Sequence, residues 1–174
     1  ARYWKPYIAH PNIMLTDATC YETAMRYPTN VKLLWESVDW CYGQLKRTCK
    51  YLKIRTPRTK YLKQKDRYSN YSRKRRKSKK QRKVLTRSLL HLLDKLLFLM
   101  EEIHQEYQGQ FTMPDRYYRQ IKIVTTVLSQ QQEMFNTGRS VPNRIVSLSK
   151  AYIRPIVRGK EVKPVEFGAK VNLI

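Results

Sequence analysis

Between Lys53 and Lys83, 16 of 31 residues are Lys or Arg and only one, Asp66, is acidic. The densest part is Arg73-Lys74-Arg75-Arg76-Lys77-Ser78-Lys79-Lys80-Gln81-Arg82-Lys83. Cations this crowded repel one another unless a polyanion neutralises them. Duplex DNA does so with release of its condensed counterions, which gives strong, salt-sensitive and largely sequence-independent affinity. Tyr61, Tyr68 and Tyr71 are interleaved with the charges, suited to stacking on bases or donating to phosphates. Charge alone does not separate DNA from RNA, and a solvated basic helix face or a tail is the plainer reading of such a run. Its size favours a nucleic acid.

No other constellation of reactive residues emerges. His10, His91 and His104 lack metal-ligand spacing, and Cys20, Cys41 and Cys49 form no CxxC pair. Neither a Walker loop nor a GxGxxG motif is present, so a nucleotide cofactor has no support. Read alone, Asp17 is a capping or turn residue after an apolar run.

The composition fits this picture. The chain has 174 residues with 36 Lys plus Arg against 13 Asp plus Glu, a formal net charge of +23. The basic segment carries +15 of that total. Such an excess argues against a small-metabolite enzyme and for a polyanionic partner. Apolar residues are 41% of the chain, enough for a core. Three sparse cysteines suit a reducing compartment. The apolar stretch from Leu89 to Met100 is broken by His91, Asp94 and Lys95 and is too short for a bilayer span. No secretory signal is visible. The chain opens on Ala1 and stops inside strand-like sequence, which reads as a fragment.

These residues need elements to hold them. Asn12 to Asp17 reads as a short strand after Pro11. Tyr27-Pro28-Thr29-Asn30 is a turn that supplies Thr29 or Asn30 as a helix cap. Val31, Leu34, Trp35, Val38, Tyr42, Leu45, Cys49 and Leu52 then repeat at helical spacing up to Pro57. A second helix in the basic segment would have a partial apolar face of Tyr61, Leu62 and Tyr68. A third has a wide stripe from Val84 and Leu85 to Tyr107, with Gly109 as a stop. A fourth, capped by Thr112 with Pro114 and Asp115 in its first turn, runs to Gly138 and should pack antiparallel to the third. After Pro142, Ile145 to Leu148, Tyr152 to Val157 and Val165 to Val171 read as β, with a turn at Arg158-Gly159-Lys160. A helical block between strands is either an insertion into a sheet or a separate helical domain.

The ends of the chain resemble a known family. Met14-Leu15-Thr16-Asp17-Ala18-Thr19, with Arg26-Tyr27-Pro28-Thr29-Asn30-Val31-Lys32-Leu33-Leu34, is similar to the first catalytic strand of bacterial insertion-sequence transposases. The branch is the one whose ribonuclease H-like Asp-Asp-Glu domain is interrupted by helices. Ile153-Arg154-Pro155-Ile156-Val157-Arg158-Gly159-Lys160 and Lys163-Pro164-Val165-Glu166-Phe167-Gly168-Ala169-Lys170-Val171 are similar to its second and third strands.

The resemblance implies an α/β fold, α+β over this stretch. Residues 1–29 would hold the first strand and 141–174 the second and third, a partial ribonuclease H-like sheet. Residues 30–140 would be a basic helical insertion. It also implies DNA strand cleavage and transfer with two Mg²⁺ ions, which stabilise the attacking and leaving oxygens of an in-line displacement. Asp17 matches the first of the three carboxylates. The second Asp and the Glu would follow the third strand, so this stretch alone is expected to be inactive. The partners implied are transposon ends, target DNA and a second copy of the full-length protein, in the bacterial cytoplasm on the nucleoid. Besides Arg73, Lys74, Arg75, Arg76, Lys77, Lys79, Lys80, Arg82 and Lys83, three other cations are placed near DNA: Arg158 and Lys160 at the hairpin tip, and Lys170 on the last strand. An exposed turn and a solvent-facing strand lysine are the equal alternatives. Composition alone favours a different class, a non-enzymatic ribosomal or nucleoid-associated protein, whereas the paired strand motifs favour the transposase.

Overall fold

A computed structural model describes residues 18–22, 29–157 and 165–172. Four helices dominate it: α1 (Asn30–Tyr51), α2 (Tyr61–Arg73), α3 (Lys79–Glu106) and α4 (Asp115–Thr137). Thr29 caps α1, its side chain accepting from the Lys32 N–H at 3.3 Å, so one orphan donor of the first turn is satisfied. At the other end Lys53 takes a positive φ of 55°, and the Ile54 N–H returns to the Cys49 carbonyl at 3.0 Å. That turn ends the helix before Pro57. Gly138 plays the same role for α4 with φ 69° and a bond from its N–H to the Met134 carbonyl. The start of α4 differs from expectation. Pro114, not Thr112, occupies the cap position, without a side-chain cap, and Asp115 in the first turn suits the helix dipole.

The apolar stripe of α1 meets that of α3. Leu34, Val38, Cys41 and Leu45 from α1 share one buried cluster with Leu89, Leu93 and Leu96 from α3, every one of them almost fully removed from solvent. These two helices share the most extensive helix–helix contact among the described residues. They run parallel. Their N-terminal turns lie together at one end of the molecule, beside the C-terminal turns of α2 and α4, and Leu45 meets Met100 and Ile103 near the opposite end. The α3–α4 pair is therefore antiparallel, as the short connection demands.

Three expectations need correction. Leu62 and Val84 are exposed rather than part of an apolar face: each stands one position, about 100° around the helix, from a buried neighbour, Tyr61 or Leu85, and so faces away from the core. Ile145 to Leu148 is not a strand: Ile145 and Val146 are buried in irregular backbone, where Ile145 packs with Leu33 and Val127. Its N–H is satisfied by the Gln130 side chain at 2.9 Å rather than by a neighbouring strand.

The third correction concerns the fold class. From residue 30 to residue 153 the chain contains no strand. Strands occur outside that body: β1 (Ala18–Glu22), β2 (Arg154–Val157) and β3 (Val165–Asn172), in an antiparallel ladder of order β1-β3-β2. Ala18 lies opposite Asn172 and Arg154 opposite Gly168. The α/β, ribonuclease H-like expectation is overturned. The protein is mostly helical, and the helices bury their apolar faces on each other instead of layering on a sheet.

Because Leu93 is fully buried in the α1–α3 seam, Leu93→Ala leaves a cavity and should destabilise the fold by about 2–5 kcal/mol. Urea unfolding followed by circular dichroism reads this as a lower midpoint with unchanged slope. A loss under about 1 kcal/mol would mean that the seam is not tightly packed.

Candidate nucleic-acid interface

The basic segment occupies the end of α2, a five-residue connection, Lys74 to Ser78, and the first turns of α3. Every residue from Ser72 to Val84 is exposed. Arg73, Lys74, Arg75, Arg76, Lys77, Lys79, Lys80, Arg82 and Lys83 thus form one solvent-facing cationic surface. Among the described residues there is one ion pair, Lys32 with Glu36 at 3.5 Å, so no carboxylate neutralises this surface.

Aromatic packing fixes α2, and with it the segment. The helix is mostly polar, and Tyr61 and Gln64 are its buried residues. The Tyr61 hydroxyl donates to the Asp39 carboxylate of α1. Its ring stacks on Tyr42 with centroids 3.8 Å apart and lies 5.5 Å from Trp35, which also stacks on Tyr68 at 4.9 Å. Offset aromatic contacts of this kind add to simple area burial. The connection folds back through Lys74, whose ammonium donates to the Gln81 side chain at 3.2 Å, and Lys77, which sits over the Tyr71 ring at 5.8 Å.

Charge on α3 runs against its dipole. The positive N-terminal end carries Lys79, Lys80, Arg82 and Lys83 with no acid in its first turn, while Glu101, Glu102 and Glu106 stand near the negative C-terminal end. Both placements are unfavourable for the helix alone. An external anion at the N-terminal end relieves the first of them.

The parallel arrangement of α1 and α3 brings in cations that sequence reasoning missed. Lys32 on α1, and Arg139 and Arg144 after α4, lie with Lys77, Arg82 and Lys83 around a cleft of about 950 Å³. Lys32 and Arg144 are 112 positions apart, and no local pattern signals their convergence.

The remaining site expectations divide. Asp17, Arg158 and Lys160 lie outside the described residues. Lys170 stands in β3 opposite Cys20 of β1. His91 is exposed, and His104 packs edge-on against Phe111 and Tyr118 at 5.5 and 6.0 Å. Cys41 and Cys49 are buried free thiols, both pushed above their usual range by desolvation. Among the described residues no group of three or more His, Cys, Asp or Glu could hold a metal ion. The donor set for a two-ion centre is therefore not met there, and no step is assigned to it. Nor is any described helix long and apolar enough to cross a membrane. Compared with family models, curated proteins and solved structures, the chain matches none.

Burial, reinforced by the Asp39 carboxylate, raises the Tyr61 phenol above its ordinary value of 10. A raised folded-state value means that the neutral phenol stabilises the fold below pH 10, and that this contribution fades as pH rises beyond it. Tyr61→Phe should cost about 1 kcal/mol near neutrality. The gap between the two proteins, measured by urea unfolding at successive pH values, should close above pH 10. A gap that stays constant or widens there would contradict the coupling.

Proposed function

We propose that the chain is a DNA-binding part of a bacterial transposase, gripping the phosphate backbone through the exposed surface of residues 73–83. The observation that carries the reading is that surface: nine cations in 11 residues, all exposed, without a paired carboxylate among the described residues, held on a helical body. Phosphate contacts of this kind position a protein on nucleic acid without reading its sequence. The assignment to DNA strand cleavage and transfer rests on the resemblance of the segments around Asp17 and Ile153 to Val171. In that reading Asp17 supplies one of three carboxylates that hold Mg²⁺, transposon ends and target DNA are the substrates, and the protein works on the nucleoid in the cytoplasm.

A second reading is a non-enzymatic nucleic-acid-binding protein of ribosomal or nucleoid type. What favours it is the all-helical body with its basic end, which needs no catalytic centre to account for its charge. RNA that binds and cannot be displaced by duplex DNA would select its ribosomal form.

The experiment is a salt series of duplex DNA affinity. Each phosphate neutralised contributes about −0.9 to the log–log slope. Replacing Arg73, Arg75 and Arg76 by Gln should make the slope shallower by about 2–3 and weaken binding alike on all sequences. Asp17→Asn is the control: it should leave this affinity nearly unchanged and, in an intact relative, abolish Mg²⁺-dependent cleavage. A flat slope in the unaltered protein would refute DNA binding through this surface. Cleavage that survives Asp17→Asn would remove the ligand assignment.

A further inference from the structure

The cleft at the basic end has properties that the outer surface of residues 73–76 lacks. Four parts of the chain build it: the first turn of α1, the end of α2 with its connection, the start of α3, and the end of α4 with the residues after it. Its lining contains seven Lys or Arg and no Asp or Glu. Opposed helix ends do not explain that sign. The positive ends of α1 and α3, roughly half a unit charge each, face the negative ends of α2 and α4, so side-chain charges set the potential.

Two further features point to what fits. The Arg144 Nε is buried in the wall with no hydrogen-bond partner among the described residues, an orphan donor of the kind that native structures rarely leave. Tyr71 and Phe135 contribute half-buried aromatic rings to the same lining. Cations that track phosphates beside rings that accept stacked bases are the recurring design of single-strand sites. At about 950 Å³ the cleft stands at the upper end of ligand sites, about 300–1,000 Å³. It has room for a few unpaired nucleotides.

We propose that this cleft holds a short single-stranded segment of nucleic acid, its phosphates on Lys32, Arg139 and Arg144 and its bases against Tyr71 and Phe135. The proposal rests on the nucleic-acid-binding reading and adds a division of labour: the outer surface of Arg73 to Arg76 carries duplex, and the cleft carries an unpaired strand beside it. Arg73, Arg75 and Arg76 are not part of the cleft lining.

The test uses two variants and two probes on the whole chain. The cleft variant is Lys32→Gln with Arg139→Gln, of which Arg139 is exposed and Lys32 half-buried in the first turn of α1. The outer variant is Arg75→Gln with Arg76→Gln. The probes are a fluorescent short oligothymidylate and a blunt duplex. The cleft variant should weaken oligothymidylate binding by about tenfold or more and duplex binding by less than about threefold, and the outer variant should show the reverse. Inorganic phosphate at matched phosphate concentration should fail to displace the oligothymidylate. Equal losses for both probes in both variants would overturn the proposal, as would displacement by inorganic phosphate, since the cleft would then be a simple anion site. If the duplex binds with its outer-surface dependence but the oligothymidylate does not bind, this proposal fails alone. If neither binds, the nucleic-acid reading fails with it.

Discussion

The parallel contact of α1 with α3 is the constraint on which everything else depends. Leu34, Val38, Cys41 and Leu45 are buried against Leu89, Leu93 and Leu96, and the two helices run side by side in the same direction, their starts meeting at one end and Leu45 meeting Met100 and Ile103 at the other. Adjacent helices joined by a short turn would be antiparallel. Here α2 lies between them in sequence and carries the chain back. The route forces the segment linking α2 to α3 to the end where α1 begins, and the basic run is that segment.

The bundle therefore gathers charge where the helices gain least from it. Lys79 to Lys83 stand at the positive end of α3, next to the start of α1 and the cations that follow α4. Nothing in the apolar packing requires this, since residues 72–84 are exposed and contribute no buried side chain. Among the described residues Glu36 pairs with Lys32 at this end, while Glu101, Glu102 and Glu106 are some 20 residues along α3, about 30 Å away at helical rise. Over that distance salt screens the attraction almost completely. A surface that the fold does not need, and whose residues 73–83 form no ion pair among the described residues, is best understood through an external polyanion.

Local structure was legible in the sequence where one helix face sufficed to define it. The stripes from Val31 to Leu52 and from Leu85 to Ile103, the Thr29 cap and the Gly138 stop all express short-range rules of period, capping and left-handed backbone. Sequence reasoning failed where distant residues decide. Leu62 and Val84 look apolar at helical spacing, yet Tyr61 and Leu85 beside them take the buried side of their helices. Ile145 and Val146 have strand-like side chains but are buried because α1 and α4 leave an apolar gap beside Leu33 and Val127. The α/β expectation came from segments at the two ends and was extended over a body that folds on its own apolar faces. Of the candidate site, the run from Arg73 to Lys83 was plain as charge, while its union with Lys32, Arg139 and Arg144 came only from the parallel seam.

Amide hydrogen exchange with and without duplex DNA tests the central claim most directly, because it reports where on the bundle the polyanion sits. Protection should appear across residues 72–84, at the end of α2 and the first turns of α3, and leave the acidic half of α3 from Glu101 to Glu106 unchanged. Protection centred on that acidic half, or none in the basic segment at DNA concentrations that saturate binding, would contradict the account.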